Sequence, residues 1–168
     1  MRSGSSRRIE TSLWLAAATI AAWTFVAGTF LPPLLAILHL GGGSAVDALY
    51  APLCHQLPSR SFEIGTQRVA VCARCLGGYA GGALGLSLAV LGLVRLRGDR
   101  RVWLALAAAP CAVDVGLRAW GASGAGNGLR ALLALPLGIV AALLLAEGIA
   151  DLARRPSWSA ATADGRNR

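Results

Sequence analysis

Long apolar runs constrain this chain more than any other feature of its sequence. Four stretches of about twenty residues or more, 13–38, 76–94, 102–120 and 129–149, consist mainly of Leu, Ala, Val and Gly. A helix rising 1.5 Å per residue needs about 20 apolar residues to cross a hydrocarbon core of about 30 Å. The chain is only 14% charged, whereas soluble domains carry about 25%. The sequence therefore predicts an all-α integral membrane bundle of four transmembrane helices.

The arginines predict the orientation of this bundle. All 16 basic residues are arginines, and eleven of them lie at the two ends of the chain or between the second and third runs. The other five, Arg60, Arg68, Arg74, Arg118 and Arg130, lie in or beside the remaining connections. Because cytoplasmic segments are enriched in Lys and Arg, we expect both termini in the cytoplasm. The expected location is a bacterial cytoplasmic (inner) membrane, since exclusive use of arginine is typical of a GC-rich bacterial genome.

These assignments divide the chain into three parts. Residues 1–12 are predicted to be a cytoplasmic tail, and residues 13–150 the four-helix membrane domain with an outward loop at 39–75. Residues 151–168 are polar and predicted to be a disordered cytoplasmic tail. A cleaved signal peptide is the alternative for the first run, but that run exceeds the 7–15 residues of an apolar signal core.

Charge and motifs exclude several classes of function. The net charge is +8, yet no basic helix or aromatic reading surface accompanies it, so we expect no nucleic-acid partner. The lipid bilayer accounts for the charge pattern instead. No Ser-His-Asp set or nucleotide-binding glycine loop occurs, so hydrolase and kinase activities have no support, and whether the protein is an enzyme stays open.

The segment CHQLPSRSFEIGTQRVAVCARC, residues 54–75, contains an unusual group of potential metal ligands. Cys54, His55, Cys72 and Cys75 offer three thiolates and one imidazole, a set that suits tetrahedral zinc. Copper(I) and iron also accept thiolate-rich ligands. Adjacent side chains diverge in regular structure, so Cys54 and His55 can share one ion only in an irregular loop. Otherwise Gln56 or a water completes the shell.

Two other interpretations of the cysteines are open. Cys72 and Cys75 form a C-x-x-C pair at a predicted helix start beside Arg74, where a reactive thiolate is favoured. Four spans with such an outward pair resemble vitamin K epoxide reductase relatives and quinone-linked disulfide oxidases, although those proteins use two outward pairs. The second alternative is a structural disulfide, because outward cysteines meet an oxidising compartment.

Polar residues near the outward ends of the spans predict a ligand pocket. An ionised Asp114 inside the third run costs at least about 2.5 kcal/mol unless it is paired. Its partner is expected to be Arg118, one turn away, or Arg130 on the fourth span. Such a polar cleft would hold an anionic headgroup, a phosphate or a quinone carbonyl. The candidate pocket residues are Gln56, Arg60, Arg74, Asp114, Arg118, Asn127 and Arg130.

A row of glycines marks one face of the second run. Gly77, Gly81 and Gly85 recur every four residues, and Gly78 and Gly82 lie beside them. Such rows allow two helices to approach closely. We expect packing within the bundle, with a homodimer through Gly77, Gly81 and Gly85 as the alternative.

The blocks CHQLPSRSF and VCARCLGGYAGG, followed by Pro110 with Asp114 and by Asn127 with Arg130, resemble the domain-of-unknown-function 2085 family. This family consists of predicted bacterial membrane proteins. The resemblance covers roughly residues 50–140 and implies a membrane location without implying an activity. The matching positions are Cys54, His55, Gln56, Arg60, Ser61, Phe62, Cys72, Arg74, Cys75, Gly77, Tyr79, Gly81, Pro110, Asp114, Asn127 and Arg130.

The sequence thus favours a membrane protein with an extracytoplasmic Cys/His metal site, zinc preferred, over a polar pocket for an anionic lipid or small molecule. A membrane thiol–disulfide oxidoreductase that uses quinone is the first alternative. A small transporter subunit or lipid carrier is the second.

Overall fold

The computed structural model describes residues 3–121 and 125–154 and is mostly helical. Six helices and one β-hairpin follow each other along these residues. Their bounds are α1 Ser3–Gly28, α2 Leu31–Ile37, α3 Gly43–Tyr50, a 3₁₀ turn Pro58–Arg60, β1 Ser61–Ile64, β2 Gln67–Cys72, α4 Ala73–Val90, α5 Arg100–Ala119 and α6 Asn127–Arg154.

Three of these helices are long and apolar enough to cross a membrane. The suitable segments are Glu10–Gly28 in α1, Arg100–Ala119 in α5 and Asn127–Asp151 in α6. Large apolar side chains such as Ile20, Leu106 and Leu145 are exposed on them, as expected where lipid replaces water. The fourth predicted span corresponds to α4, an 18-residue helix that contains Arg74 and is not among these three segments.

The first apolar run forms two helices, not one. α1 ends at Gly28, and α2 starts with Pro32 and Pro33 in its first turn. Proline has no N–H, so Pro33 cannot donate to the carbonyl of Thr29 as a helix would require. That carbonyl accepts instead from the Ala70 N–H of β2, at 2.9 Å. The chain break therefore fastens the hairpin to the end of α1.

The all-α prediction is incomplete, because the loop 39–75 contains a two-stranded antiparallel sheet. Ser61 pairs with Cys72 and Ile64 with Gln67, around a two-residue turn. Gly65 opens this turn at φ +63°, a backbone conformation that glycine adopts without strain. Val69, Ala70 and Val71 are almost completely buried, so β2 is the core of the loop region.

The most extensive contact between helices joins α4 and α6. Gly77 and Gly81 lie so close to α6 that a Cβ would overlap the carbonyl oxygens of Ala131 and Leu135. Gly85 is similarly close to Ile139. The predicted glycine row thus packs within the chain. The alternative of a homodimer through these three glycines is wrong for this face, because α6 already covers it.

The structure describes most of the predicted N-terminal tail but only the first residues of the predicted C-terminal tail. α1 begins at Ser3, so most of the N-terminal segment 1–12 is helical. At the other end, α6 continues to Arg154. The remainder of the predicted C-terminal tail lies outside the described residues.

Candidate metal centre

Three of the four predicted metal ligands come together at one end of the bundle. Cys54 follows α3, Cys72 ends β2, and Cys75 lies in the first turn of α4. Their Sγ atoms all lie within 4.8 Å of one another. The hairpin brings Cys72 next to Cys54 across 18 positions of sequence, and the helix start then places Cys75 beside Cys72.

Backbone N–H groups hold the Cys54 sulfur in place. The N–H of Cys72 donates to Cys54 Sγ at 3.1 Å, and the N–H of Gln56 donates to it at 3.4 Å. Donors of this kind stabilise negative charge on sulfur and orient a ligand. Cys54 is buried, so this pattern fits a metal thiolate better than a solvent-exposed reactive thiol.

The spacing of the sulfurs fits a tetrahedral ion. Zinc–sulfur bonds of about 2.3 Å place two ligand sulfurs about 3.8 Å apart. Cys72 Sγ and Cys75 Sγ are 3.3 Å apart, so they would separate by about half an ångström to coordinate one ion. All four cysteines of the chain are free thiols in the structure.

The Cys72 thiol is unusually acidic. A hydrogen bond shared with Cys75 lowers the pKa of Cys72 to about 5, although partial burial opposes this shift. Hydrogen bonds with Cys54 and with backbone groups also lower the pKa of Cys72. Since metals bind the thiolate, a cysteine that is already ionised at neutral pH is ready to coordinate.

His55 and Gln56, the other candidates for a fourth ligand, point elsewhere. His55 is exposed and lies outside the group of three sulfurs, because the inward turn of Cys54 directs its neighbour away from it. The Gln56 amide donates to the carbonyls of Asp47 and Ala70, at 2.7 and 2.8 Å. Gln56 has φ +49° and acts as a brace between α3 and β2, not as a pocket residue.

A cavity of about 200 Å³ lies beside the cysteine cluster. Its walls are formed by His55, Leu57, Arg60, Cys72, Arg74 and Arg130. Thus a cysteine of the cluster and the predicted histidine border the same space as three of the predicted pocket arginines.

Asp114 pairs with Arg74, a partner that the sequence did not predict. The Nη2 and Nε atoms of Arg74 both donate to Asp114 Oδ2, and the distance from Nε to Oδ2 is 3.0 Å. Oδ1 of the same carboxylate accepts the backbone N–H of Ala125 at 3.2 Å. Asp114 is 5% exposed. Sequence position contained a signal for this pair, because the start of α4 and the end of α5 lie on the same side of the predicted bundle.

Asn127 connects the start of α6 to the hairpin. Its side-chain Nδ2 donates to the Ser61 carbonyl at 2.9 Å, and its Oδ1 accepts from Arg130 Nη1 at 2.9 Å. The predicted contact of Asp114 with Arg118 or Arg130 is absent from the ion pairs of the described residues. Cys111, on α5, is not part of the sulfur group.

An aromatic group lies beneath the loop, and the sequence did not predict it. The Phe25 ring lies 4.8 Å from that of Tyr50 and 5.1 Å from that of Tyr79. The Tyr50 hydroxyl donates to the Phe25 carbonyl, and that of Tyr79 to the Leu53 carbonyl. These contacts attach the segment before Cys54 to α1 and α4.

The helices and the site define a small, mostly helical membrane protein with a cysteine cluster above an arginine-lined cavity. The chain belongs to the family described as Predicted membrane protein (DUF2085), whose sequence pattern matches residues 54–144. The match includes the three clustered cysteines and Arg130, and it confirms the resemblance seen in the two cysteine blocks.

A curated protein also matches part of the chain. The chain is 38% identical over 80 residues to Uncharacterized protein MJ1492 of Methanocaldococcus jannaschii, an alignment that covers 42% of this chain. The alignment covers 50% of the relative, so this chain matches about half of that protein's length. No solved structure matches the chain.

Proposed function

We propose that this membrane protein binds a metal ion, zinc in preference, through Cys54, Cys72 and Cys75, next to a cavity for an anionic or lipidic ligand. The observation that carries the proposal is the convergence of three sulfurs within 4.8 Å. These sulfurs come from separate parts of a loop whose backbone donates to Cys54. Structural zinc sites use this kind of ligand set and would stabilise the loop.

His55 is the candidate for the fourth ligand. It borders the same cavity as Cys72. A rotation of its side chain would therefore bring the imidazole toward an ion held by the three sulfurs. We expect its contribution to be smaller than that of a cysteine, because the site is built around Cys54 without it.

The proposed orientation places this site on the extracytoplasmic side of a four-span bundle. α4 supports the role of fourth span, since its length of about 27 Å approaches the thickness of a hydrocarbon core, and it packs closely on α6. The uneven distribution of arginines along the sequence supports cytoplasmic termini.

The buried polar residues give no support to the transporter or lipid-carrier alternative. Among the described residues, those buried are Thr29, Ser61, Asp114 and Arg130. Each of the four lies in the hairpin, bonds to it, lines the cavity beside the cysteines or pairs with a residue that does, so none of these buried polar residues of the described chain extends toward the other end of the bundle.

The test is the metal content of the detergent-purified protein, measured by mass spectrometry together with a titration of free thiols. We expect about one zinc per chain in the wild type and loss of zinc in Cys72→Ser and Cys75→Ser. His55→Ala should weaken retention against a chelator by about tenfold or more. Cys111→Ser is the matched control, and it should keep the metal.

Two results would contradict the metal site. One is a wild-type protein without metal after purification in the absence of chelators. The other is that Cys111→Ser loses as much metal as Cys72→Ser. Metal binding would then not depend specifically on the three clustered sulfurs.

A specific observation also favours thiol–disulfide chemistry as a second candidate. Cys72 Sγ and Cys75 Sγ lie 3.3 Å apart, and the pKa of Cys72 is lowered to about 5. In this reaction the two thiols would form a disulfide and pass two electrons and two protons to a quinone, giving a quinol. Protein without metal, with Cys72 and Cys75 titrating only after reduction and a quinone in the lipid extract, would establish this alternative.

A further inference from the structure

The cavity beside the cysteines has more positive charge than the described residues neutralise. Arg60, Arg74 and Arg130 line it, and Arg118 is close enough to act electrostatically on Arg130. Within residues 3–121 and 125–154, Asp114 is the one acid that pairs with this group, through Arg74. Four guanidinium groups therefore share one carboxylate, so positive charge exceeds negative charge even with an ionised Cys72 at the cavity wall.

Two of these arginines also have buried N–H groups without an acceptor. Arg130 is 4% exposed, and its Nε has no hydrogen-bond partner. The Nε of Arg118 is likewise buried and unpartnered. Buried donors are normally satisfied, because leaving one without an acceptor is costly. A missing acceptor with negative charge accounts for both the unpaired donors and the excess charge.

We propose that this cavity binds a terminal phosphate group, supplied by a lipid headgroup that ends in a phosphate monoester or by a soluble phosphate. The inference specifies the anionic ligand of the proposed function and rests on it. A phosphate monoester carries about 1.5 to 2 negative charges at pH 7, enough to offset most of the excess. Its terminal oxygens can accept from several arginine forks at once, whereas a carboxylate offers two oxygens.

The size of the cavity agrees with a small ligand. Its volume of about 200 Å³ equals about seven water volumes in the liquid. Pockets for drug-sized ligands measure about 300–1,000 Å³. A phosphate or headgroup with a few waters therefore fits, and larger ligands are disfavoured.

The experiment measures phosphate binding and retained lipid on the full chain in a phosphate-free detergent. Thermal unfolding is followed across a series of inorganic phosphate concentrations, with chloride at equal ionic strength as the reference. Native mass spectrometry of the same sample detects co-purified phospholipid. Zinc content is recorded in parallel, so a failure of the phosphate site is distinguished from a failure of the metal site.

The variants are Arg130→Gln and Arg60→Gln, with Arg101→Gln as the matched control. Arg101 is exposed at the start of α5, whereas Asp114 and Arg118 lie toward the end of that helix. Losing one charge-assisted contact should weaken the apparent affinity for phosphate about tenfold or more. Arg60 makes no ion pair among the described residues, so Arg60→Gln serves if Arg130→Gln does not fold.

Either source of phosphate gives a distinct result. A soluble ligand predicts stabilisation by inorganic phosphate beyond that of chloride. A lipid ligand predicts about one bound phospholipid per chain that both arginine variants lose. The proposal is overturned if the wild type shows neither signal, or if Arg60→Gln and Arg130→Gln match Arg101→Gln.

Discussion

Cys72 occupies two structural positions at once, since it ends β2 and is the N-cap residue of α4. Its N–H donates to Cys54 Sγ while its own sulfur shares a hydrogen bond with Cys75. One residue therefore links all three sulfurs of the cluster. A substitution at this position removes one of the three sulfurs and also loosens the neighbours that it positions.

The acidity of Cys72 predicts an unusual pH profile for its alkylation in the reduced, metal-free protein. Its pKa of about 5 is below the usual value of about 8.5, and the thiolate is the reacting form. The rate should rise through pH 5 and become constant above about pH 6.5. Mass spectrometry of iodoacetamide-treated peptides measures this rate at the single residue.

Cys75→Ala is the control for the cause of this shift. Without the hydrogen bond from Cys75, the midpoint of the Cys72 profile should move toward alkaline pH. An unchanged profile in this variant would show that the neighbouring thiol does not lower the pKa.

The Arg74–Asp114 pair predicts a large loss of stability in Asp114→Asn. The amide still accepts from the Ala125 N–H but no longer neutralises Arg74, whose side chain is 22% exposed. Removing one partner of a buried pair costs about 3–5 kcal/mol in free energy of unfolding. Denaturant titration in mixed micelles measures the change.

Asp151→Asn provides the comparison. Asp151 contacts Arg100 at 3.3 Å, but the two side chains are 51% and 57% exposed. Exposed pairs contribute about 0–1 kcal/mol, so this variant should be close to wild type. Equal destabilisation by the two substitutions would contradict the special role of Asp114.

At the scale of helices, the α4–α6 contact relies on backbone approaching backbone. Gly81→Ala should lower the free energy of unfolding by about 1–3 kcal/mol, because the added Cβ forces the two helices apart. Gly82→Ala is a matched control one position away, where a Cβ meets nothing within 4 Å. That variant should be neutral or more stable by up to about 1 kcal/mol.

Unfolding of both variants in detergent measures this difference. If Gly81→Ala and Gly82→Ala behave alike, the close contact with Leu135 does not determine how the helices pack.

The sequence predicted these helices well, because apolar runs and glycine spacing are local signals. It did not predict the break after α1, although Pro32 and Pro33 were visible. The Thr29 carbonyl left without a helical donor accepts from the N–H of Ala70, which lies 41 positions later in the chain. The hairpin was also missed, since β2 is too short and too buried to show alternation. Contacts between distant backbone atoms leave no local pattern.

The whole site was only partly predictable for the same reason. The residue types in C-x-x-C and the pocket arginines identified which side chains matter. Their pairing depended on which helix ends meet in space, so Asp114 was assigned to Arg118 or Arg130 in place of Arg74. His55 was grouped with the cysteines because three thiolates and an imidazole suit zinc, but the local backbone that decides whether adjacent residues share one ion leaves no signal in sequence.

At the scale of the whole molecule, the proposed orientation predicts selective labelling in intact cells. After metal chelation and reduction, a membrane-impermeant maleimide should modify Cys72 from outside. The control is Arg97→Cys in a chain whose native cysteines are replaced by serine, and it should react only after the cells are permeabilised. Labelling of the Arg97→Cys chain in intact cells would contradict cytoplasmic termini.

The contact between α4 and α6 also has an evolutionary consequence. On α4 the contact requires glycine itself at positions 77 and 81, whereas α6 contributes the carbonyl oxygens of Ala131 and Leu135. A carbonyl is the same whatever side chain follows it. Gly138 of α6 is the exception, because a Cβ at this position would overlap the Gly78 carbonyl of α4. Among related proteins we therefore expect glycine to be retained along this row of α4 and at position 138 of α6, while the positions of Ala131 and Leu135 change freely. Within one contact, positions that supply only a carbonyl would then record far more substitution than positions that must be glycine.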